Sequence, residues 1–549
     1  MSQYGIVVSD SLEKVHGTGE PRPHGTGRLS ALRGETVSFQ VAVRPPETWS
    51  AAHAGGLHLT VNTPEGVTAE VAAVDLVPCA VTALARRDEH YDHTGPALLA
   101  DPLRPLADGD EWLLAPLQWR AAWITLHVAA DAPAATSQVE VVLTLARTGE
   151  QVGAPTLPFT VIDAELPPLP IVNTHWFHVD GLAQYYGVEP YSEVGWELIK
   201  NFLAAARRMD VNSVLTPVHT PPLDTAEGTT RLNVQLVDVT REGDGYRFGF
   251  DRLLRWIGIC REVGITHLEV AHLFSQWGAK SCPAVYATDG TQLFGWDDAA
   301  TSDAYVEFLG AYVPALRQVF DEHWGPEVIW HLSDEPHGDE ARAQYARVKE
   351  ITGPLLDGAV VVDALSDHEF FSQGLVPIPV VATDAVKPFL ESDIDPLWVY
   401  YCTSQSVDVA NRFIGQPSYR NRVLGLQLFT FGCAGFLHWG FNFWNAGLSL
   451  YPIDPFADTT AGHQFQAGDP FVVYPGPDGT AWDSIRLRVF AEAMADVRAL
   501  HLLAGLIGRD RAVELINPHG SLAFDSYPHE PAYYLSTRAA INDAIATHR

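Results

Sequence analysis

From residue 1 to about 165 the apolar positions come in short runs that alternate with polar ones. ETVSFQVAV (35–43), LHLTVNT (57–63), AAWITLHVAA (121–130) and VEVVLTLAR (139–147) are rich in β-branched and aromatic residues. Period-two alternation of this kind suits half-buried strands. Gly, Pro and Asp separate the runs, and no long helical period interrupts them, so the pattern predicts a β-sandwich. LPPLP (166–170) then reads as a linker, because proline interrupts helices and inner strands alike.

After the linker the rhythm changes to strand followed by helix. Predicted strands are 171–179, 212–217, 266–274, 328–336, 359–365, 379–385, 397–402 and 435–442. Helical periodicity marks 196–209, 250–264, 304–324, 340–351 and 419–432. Eight alternations in this span predict a (β/α)8 TIM-type barrel. A doubly wound sheet is the alternative, but no GxGxxG follows the first strand. The link between the sixth and seventh strands is short. Residues 450–480, rich in Pro, Gly and Asp, read as a long loop over the barrel mouth, and 484–508 as a long helix. The expected architecture is therefore multidomain β + α/β: an N-terminal β-sandwich at 1–165, a catalytic barrel at 171–508 including that helix, and a C-terminal extension at 509–549.

Charge narrows the partners. Lys plus Arg number 35 against 67 Asp plus Glu, a net charge of -32. Neither a phosphate backbone nor an anionic membrane surface is an expected partner. No apolar stretch has the length of a membrane span. MSQYGIVVSDSLEKVHG has neither a basic start nor a long apolar core, so no export signal is expected. Five scattered cysteines without a CxxC pair suit reduced thiols in a cytoplasm and offer no zinc spacing. No metal or other cofactor is expected, and nothing in the sequence sets the oligomeric state.

The sharpest chemical signal is HLSDEPHG (331–338). The apolar run VIWHL leads directly into Ser-Asp-Glu-Pro, and Pro336 ends the strand. Asp334 and Glu335 thus stand at the C-terminal end of a barrel strand, where barrels place their active sites. The same residues would also serve as a helix N-cap with acids in its first turn. Further polar and aromatic groups gather at other strand ends: Trp176, His178 and Asp180 after the first; Trp398, Tyr400 and Tyr401 on the seventh; His438, Trp439, Asn442 and Trp444 in and beyond the eighth. The aromatic rings suit core packing as well as they suit the face of a sugar.

Several of these segments together resemble glycoside hydrolase family 123, a bacterial barrel family: the SDEP run, LWVYYC, NRFIGQPSYRNRVLGLQ, GFLHWGFNFWNAG and GDPFVVYPGPDGTAWDSIRLRVFAEAMADVRAL. DSLEKV and RGETVSFQVAV resemble its N-terminal sandwich. The resemblance implies a β-N-acetylgalactosaminidase with substrate-assisted, retaining hydrolysis, in which the sugar's acetamide oxygen attacks the anomeric carbon. Glu335 would be the general acid and Asp334 the group that holds the acetamide and stays charged. A tyrosine hydroxyl, Tyr400 or else Tyr401, would fix the acetamide oxygen. His178, Asp180, Trp398, Trp439, Asn442 and Trp444 complete the expected substrate-binding set, and the expected partner is an oligosaccharide or glycoside. A glycosidase with two protein carboxylates would draw its second from Asp180, Glu269, Asp363 or Asp384. A non-catalytic carbohydrate binder and a metal-dependent hydrolase using His331 and His337 are the remaining readings, the latter without HExxH or HxxxH spacing.

Overall fold

Alternation in the first third of the chain builds two stacked sheets. In the computed structural model, which describes residues 4–25, 27–243, 245–392 and 394–549, the first sheet runs Gly5–Asp10, Thr36–Arg44, Arg120–Val128, Val67–Cys79 and Ala97–Pro105. The second runs Leu29–Arg33, Thr156–Glu165, Thr136–Leu145 and Leu57–Asn62. Phe39, Val41, Ile124 and Leu126 point toward Val139, Val141 and Phe159 of the facing sheet. Alternate positions on the same strands, Ala42, Ala121 and Trp123, belong to a different core, continuous with the barrel. A sheet covered on both faces has no solvent side, which is why Thr36–Arg44 is buried at seven consecutive positions.

The barrel closes in chain order: Val172–His175, Ser213–Thr216, His267–Val270, Val328–Trp330, Val360–Leu365, Ile378–Ala382, Trp398–Tyr400 and Gly435–His438. All neighbours are parallel. Each strand falls inside a run predicted from the sequence or within a residue of it. Among the described residues, the link between the sixth and seventh holds one short helix, Lys387–Leu390. Leu215, Ile329, Val362, Val380, Trp398 and Leu437 fill the interior, so the barrel is a packed core and not a pore. Gly435 makes room for Trp398: a Cβ there would lie 2.2 Å from the indole.

Two features cross the expected domain limits. Residues 450–480 end in a hairpin, Tyr474–Pro475 with Ala481–Ser484, and its second strand pairs with Ala97–Pro105. The sandwich's first sheet thereby takes two of its seven strands from beyond the barrel. The C-terminal helix Pro531–His548 packs on Leu29–Arg33 and Thr156–Glu165. Buried ion pairs tie the parts together. Arg486 on the long helix Ile485–Ile507 meets Asp101 at 2.8 Å, and the Tyr474 hydroxyl donates to the same carboxylate at 2.6 Å. Arg538 bridges Glu35 at 2.7 Å and Asp496 at 3.1 Å. No described helix is long and apolar enough to cross a membrane.

Candidate active site

The strand Val328–Trp330 ends three residues before Ser333. Beyond it the chain keeps beside the segment that follows the third barrel strand: the Leu273 N–H donates to the His331 carbonyl at 3.1 Å, Phe274 to Leu332 at 3.0 Å, and Trp277 to Asp334 at 2.7 Å. The Ser333 hydroxyl donates to the Ser275 carbonyl at 2.9 Å and accepts from the Gly278 and Ala279 N–H groups at 3.3 and 3.1 Å. From the other side, the Asp363 carboxylate accepts the Leu332 and Ser333 N–H groups at 3.0 and 3.3 Å. The segment presenting Asp334 and Glu335 is therefore held by both neighbouring strands. Glu335 itself sits at φ 41°, a left-handed conformation that costs a non-glycine residue about 1–2 kcal/mol. That kink after a regular strand lets adjacent carboxylates share one pocket.

The pocket is a cavity of about 190 Å3 at the C-terminal mouth of the barrel. Trp176, His178, Asp334, Glu335, Tyr400 and Trp439 line it, and every lining residue lies between 176 and 465. Among the described residues, the sandwich contributes none. A larger cavity of about 800 Å3 lies on the seam of sandwich and barrel. Of its lining acids Glu70, Asp108, Asp110 and Asp483, Glu70 and Asp483 are paired with Arg488.

Within the small cavity the Tyr400 hydroxyl donates to Glu335 Oε1. Burial, then the Glu335 carboxylate, pushes the Tyr400 pKa well up, so it stays a neutral donor. The Asp334 carboxyl is also pushed well above the usual carboxylate range, first by burial, then by Glu335, with Asp363 and Asp224 adding to the effect and His331 opposing it. The family resemblance implies a charged Asp334; with Glu335 beside it that charge is disfavoured, because two neighbouring carboxylates in a desolvated site resist double ionisation. Asp224, which the sequence reading did not single out, lines the same cavity, and burial raises its pKa to about 6.

Beneath the pair lies a buried charged cluster. His331 Nε2 is 2.5 Å from Glu269 Oε1 and Nδ1 is 3.3 Å from Asp363 Oδ1. Thr174 and Trp176 donate to Glu269, and Tyr345 donates to Asp363. With a carboxylate at each ring nitrogen, His331 is an imidazolium: burial opposes its charge, but Glu269 and Asp363 outweigh that and push its pKa up to about 10. His272 stacks on it at 4.3 Å and 24°. His272, His331 and Asp363 bring possible metal-ligand atoms within 4.8 Å of one another. Near-parallel stacked rings, however, send their in-plane lone pairs side by side and not to one point, and both His331 nitrogens are engaged. His337, the other histidine of the metal-hydrolase reading, is exposed at the start of Gly338–Thr352.

The remaining expected residues divide. His178 and Trp439 line the cavity, with His178 Nε2 2.9 Å from the Trp439 carbonyl and Trp439 Nε1 donating to Asp469 at 3.1 Å. Tyr401 does not line it. It alternates with Tyr400 to the outside of the barrel, between Phe436 and His438. Trp398 lies lower in the barrel interior. Asn442 is buried and clamps the His178 backbone, accepting its N–H at 2.8 Å and donating to its carbonyl at 3.0 Å. Trp444 packs on Phe202 and Tyr185. Asp180 is neutralised by Arg231 at 2.8 Å. Neither these four, nor Glu269, Asp363 and Asp384, line the cavity. Asp384 accepts from Gln405 at 2.9 Å. Missed from the sequence were Asp224, Gln276, Trp277, Thr403 and Ser404. They sit in irregular loops after strands two, three and seven, and their position just past predicted strand ends was the one available signal.

The family model for the glycoside hydrolase 123 catalytic domain matches residues 176–503. Among solved structures, a family 123 glycoside hydrolase from Clostridium perfringens, studied for glycolipid glycan hydrolysis, superposes with a TM-score of 0.73 at 12% identity, over 99% of this chain and 98% of that one. A family 5 glycoside hydrolase from Bacteroides vulgatus reaches a TM-score of only 0.31 at 11% identity, over 55% of this chain and 65% of that one, too low to support an argument. No curated protein matches the chain in sequence.

Proposed function

The chain belongs to glycoside hydrolase family 123 and hydrolyses glycosidic bonds; from that premise we propose that it is a retaining β-N-acetylgalactosaminidase whose nucleophile is the substrate's own acetamide. The observation that carries this reading is the adjacent pair Asp334–Glu335 in a cavity of about 190 Å3, with Tyr400 bonded to Glu335. The pair shares one proton; the substrate's acetamide N–H, donated to Asp334, favours the Asp334 carboxylate and leaves the proton on Glu335, which gives it to the leaving oxygen while the acetamide oxygen closes on the anomeric carbon, forming a cyclic oxazoline. Asp334 holds the acetamide N–H and offsets the positive charge that develops on it. Water then opens the ring and Glu335 takes its proton, which restores the acid. Tyr400, engaged by Glu335 in the free site, has to exchange partners to reach the acetamide oxygen. Of the four acids expected as a protein nucleophile, Asp180, Glu269 and Asp363 are buried and paired, and Asp384 is bonded to Gln405 outside the cavity.

Asp224 supports a second reading. It brings a third carboxyl to the cavity, and a glycosidase with two protein carboxylates would use it opposite Glu335. One comparison separates the two. Thiazoline analogues of the oxazoline should inhibit far more strongly than the free N-acetyl sugar if the acetamide is the nucleophile. A 2-deoxy-2-fluoro glycoside that labels Asp224, with thiazolines no better than the sugar, would overturn the proposal.

A further inference from the structure

The cavity has room for about one sugar ring. Glu335 must touch the glycosidic oxygen, which lies between the ring held inside and the leaving group. The leaving group therefore emerges at the rim beside Glu335. There Trp277 is 52% exposed, unlike the other aromatic residues that line the cavity. A half-exposed indole at the edge of the cavity offers an apolar face with a polar N–H at its rim, and this one is held in place by unusual means. Trp277 has φ 59° and Ala279 φ 56°. Their loop is pinned by the Trp277 N–H on the Asp334 carbonyl and by the Ser333 hydroxyl on the Gly278 and Ala279 N–H groups. The catalytic segment itself thus fixes where the indole stands. Beside it, Gln276 is only 4% exposed and lines the cavity. Its Nε2 donates to the Thr225 carbonyl at 2.8 Å, and its Oε1 is a buried acceptor with no protein partner. A buried acceptor is satisfied when a hydroxyl donates to it.

We propose that Trp277 and Gln276 form the leaving-group subsite, with Trp277 stacking on the apolar face of a sugar ring and Gln276 accepting one of the substrate's hydroxyls. The natural leaving group is then a saccharide and not a small alcohol or a lipid alone. This rests on the glycosidase reading of the same pocket, though not on the identity of the nucleophile.

The test compares two substrates with alkyl leaving groups: the methyl β-glycoside and a β-linked disaccharide of whichever sugar the wild-type enzyme cleaves. Both need protonation by Glu335, but only the disaccharide reaches the rim. Trp277→Ala keeps the N–H that binds Asp334. It should lower kcat/KM for the disaccharide by about ten-fold more than for the methyl glycoside, as expected when binding to a remote part of the substrate is removed, and Trp277→Phe should recover part of the difference. Equal losses on both substrates, or no loss on the disaccharide, would overturn the subsite. Wild-type enzyme that cleaves sugars without an acetamide would instead refute the acetamide mechanism, and the Trp277 comparison would still be made on those sugars.

Discussion

Replacing His331 with glutamine removes the buried cation beneath the catalytic pair while keeping a side chain that can hydrogen-bond. Moving a histidine pKa from 6.5 to about 10 on folding corresponds to roughly 5 kcal/mol of stability. The folded value lies above the unfolded one, so that stability is fully present below about pH 6.5, falls as pH rises, and is gone above about pH 10. In His331→Gln the proton has no imidazole to occupy; it resides on Asp363, whose pKa burial already raises, and leaves at lower pH. Two consequences follow. At pH 7 the variant should be less stable by roughly 3–5 kcal/mol, the usual cost of breaking a buried ion pair. Between about pH 8 and 10 the wild-type unfolding free energy should keep falling, by roughly 1.4 kcal/mol per pH unit, while the variant's curve flattens. The assay is equilibrium unfolding in urea, followed by tryptophan fluorescence across that range for both proteins. Parallel curves would mean that His331 is not held protonated by Glu269 and Asp363.

Glu335→Gln should lose about 10²–10⁴-fold in kcat on alkyl glycosides and much less on aryl glycosides with good leaving groups, measured by steady-state kinetics on both. The acid limb of the kcat/KM profile should lie well above the ordinary aspartate range, because burial and Glu335 raise the Asp334 pKa; it should vanish in Asp334→Asn, which should also lose about 10²–10³-fold in rate. Tyr400→Phe should lower kcat/KM by about 2–10-fold, the worth of one hydrogen bond to a neutral acceptor such as the acetamide oxygen, with the fold unchanged by circular dichroism. Arg486→Met leaves Asp101 buried without its partner and should lower stability by about 3–5 kcal/mol, read as a shift in the thermal unfolding midpoint.

The fold was legible where burial is periodic. All eight barrel strands announce themselves as apolar runs, because inner strands of a parallel barrel are buried on both faces. In the sandwich only four strands were read; Gly5–Asp10, Leu29–Arg33, Val67–Cys79, Ala97–Pro105, Gln151–Gly153 and Thr156–Glu165 escaped, and of these Leu29–Arg33 is a short five-residue strand while Val67–Cys79 interleaves exposed and half-buried positions. The catalytic pair was legible because a strand, two acids and a proline lie in one unbroken segment. Tyr400 and Tyr401 could not be separated with certainty from the sequence, since a one-residue difference in register exchanges inside for outside. Asn442 and Trp444 follow the eighth strand in the chain, but the backbone there folds back onto His178 and Phe202, away from the cavity. Trp277 and Asp224 carry no motif. They reach the site through loop geometry that depends on contacts distant in sequence, such as the Trp277 N–H on Asp334.

The seam between sandwich and barrel constrains how this enzyme can be divided or recombined. The Ser406 hydroxyl donates to the Arg86 carbonyl at 2.9 Å, the Tyr91 hydroxyl donates to the Ser406 carbonyl at 3.1 Å, and Arg420 grips Asp88 at 2.9 Å. Residues 86–91 of the sandwich thus brace the loop that carries Thr403 and Ser404 into the cavity. Severing the chain in its proline linker would strip Asp101 from Arg486 and leave the strand Ala481–Ser484 without its neighbour. The sandwich is accordingly part of the catalytic unit's foundation and not a portable module, and grafting the barrel onto another scaffold would require carrying the first 165 residues with it.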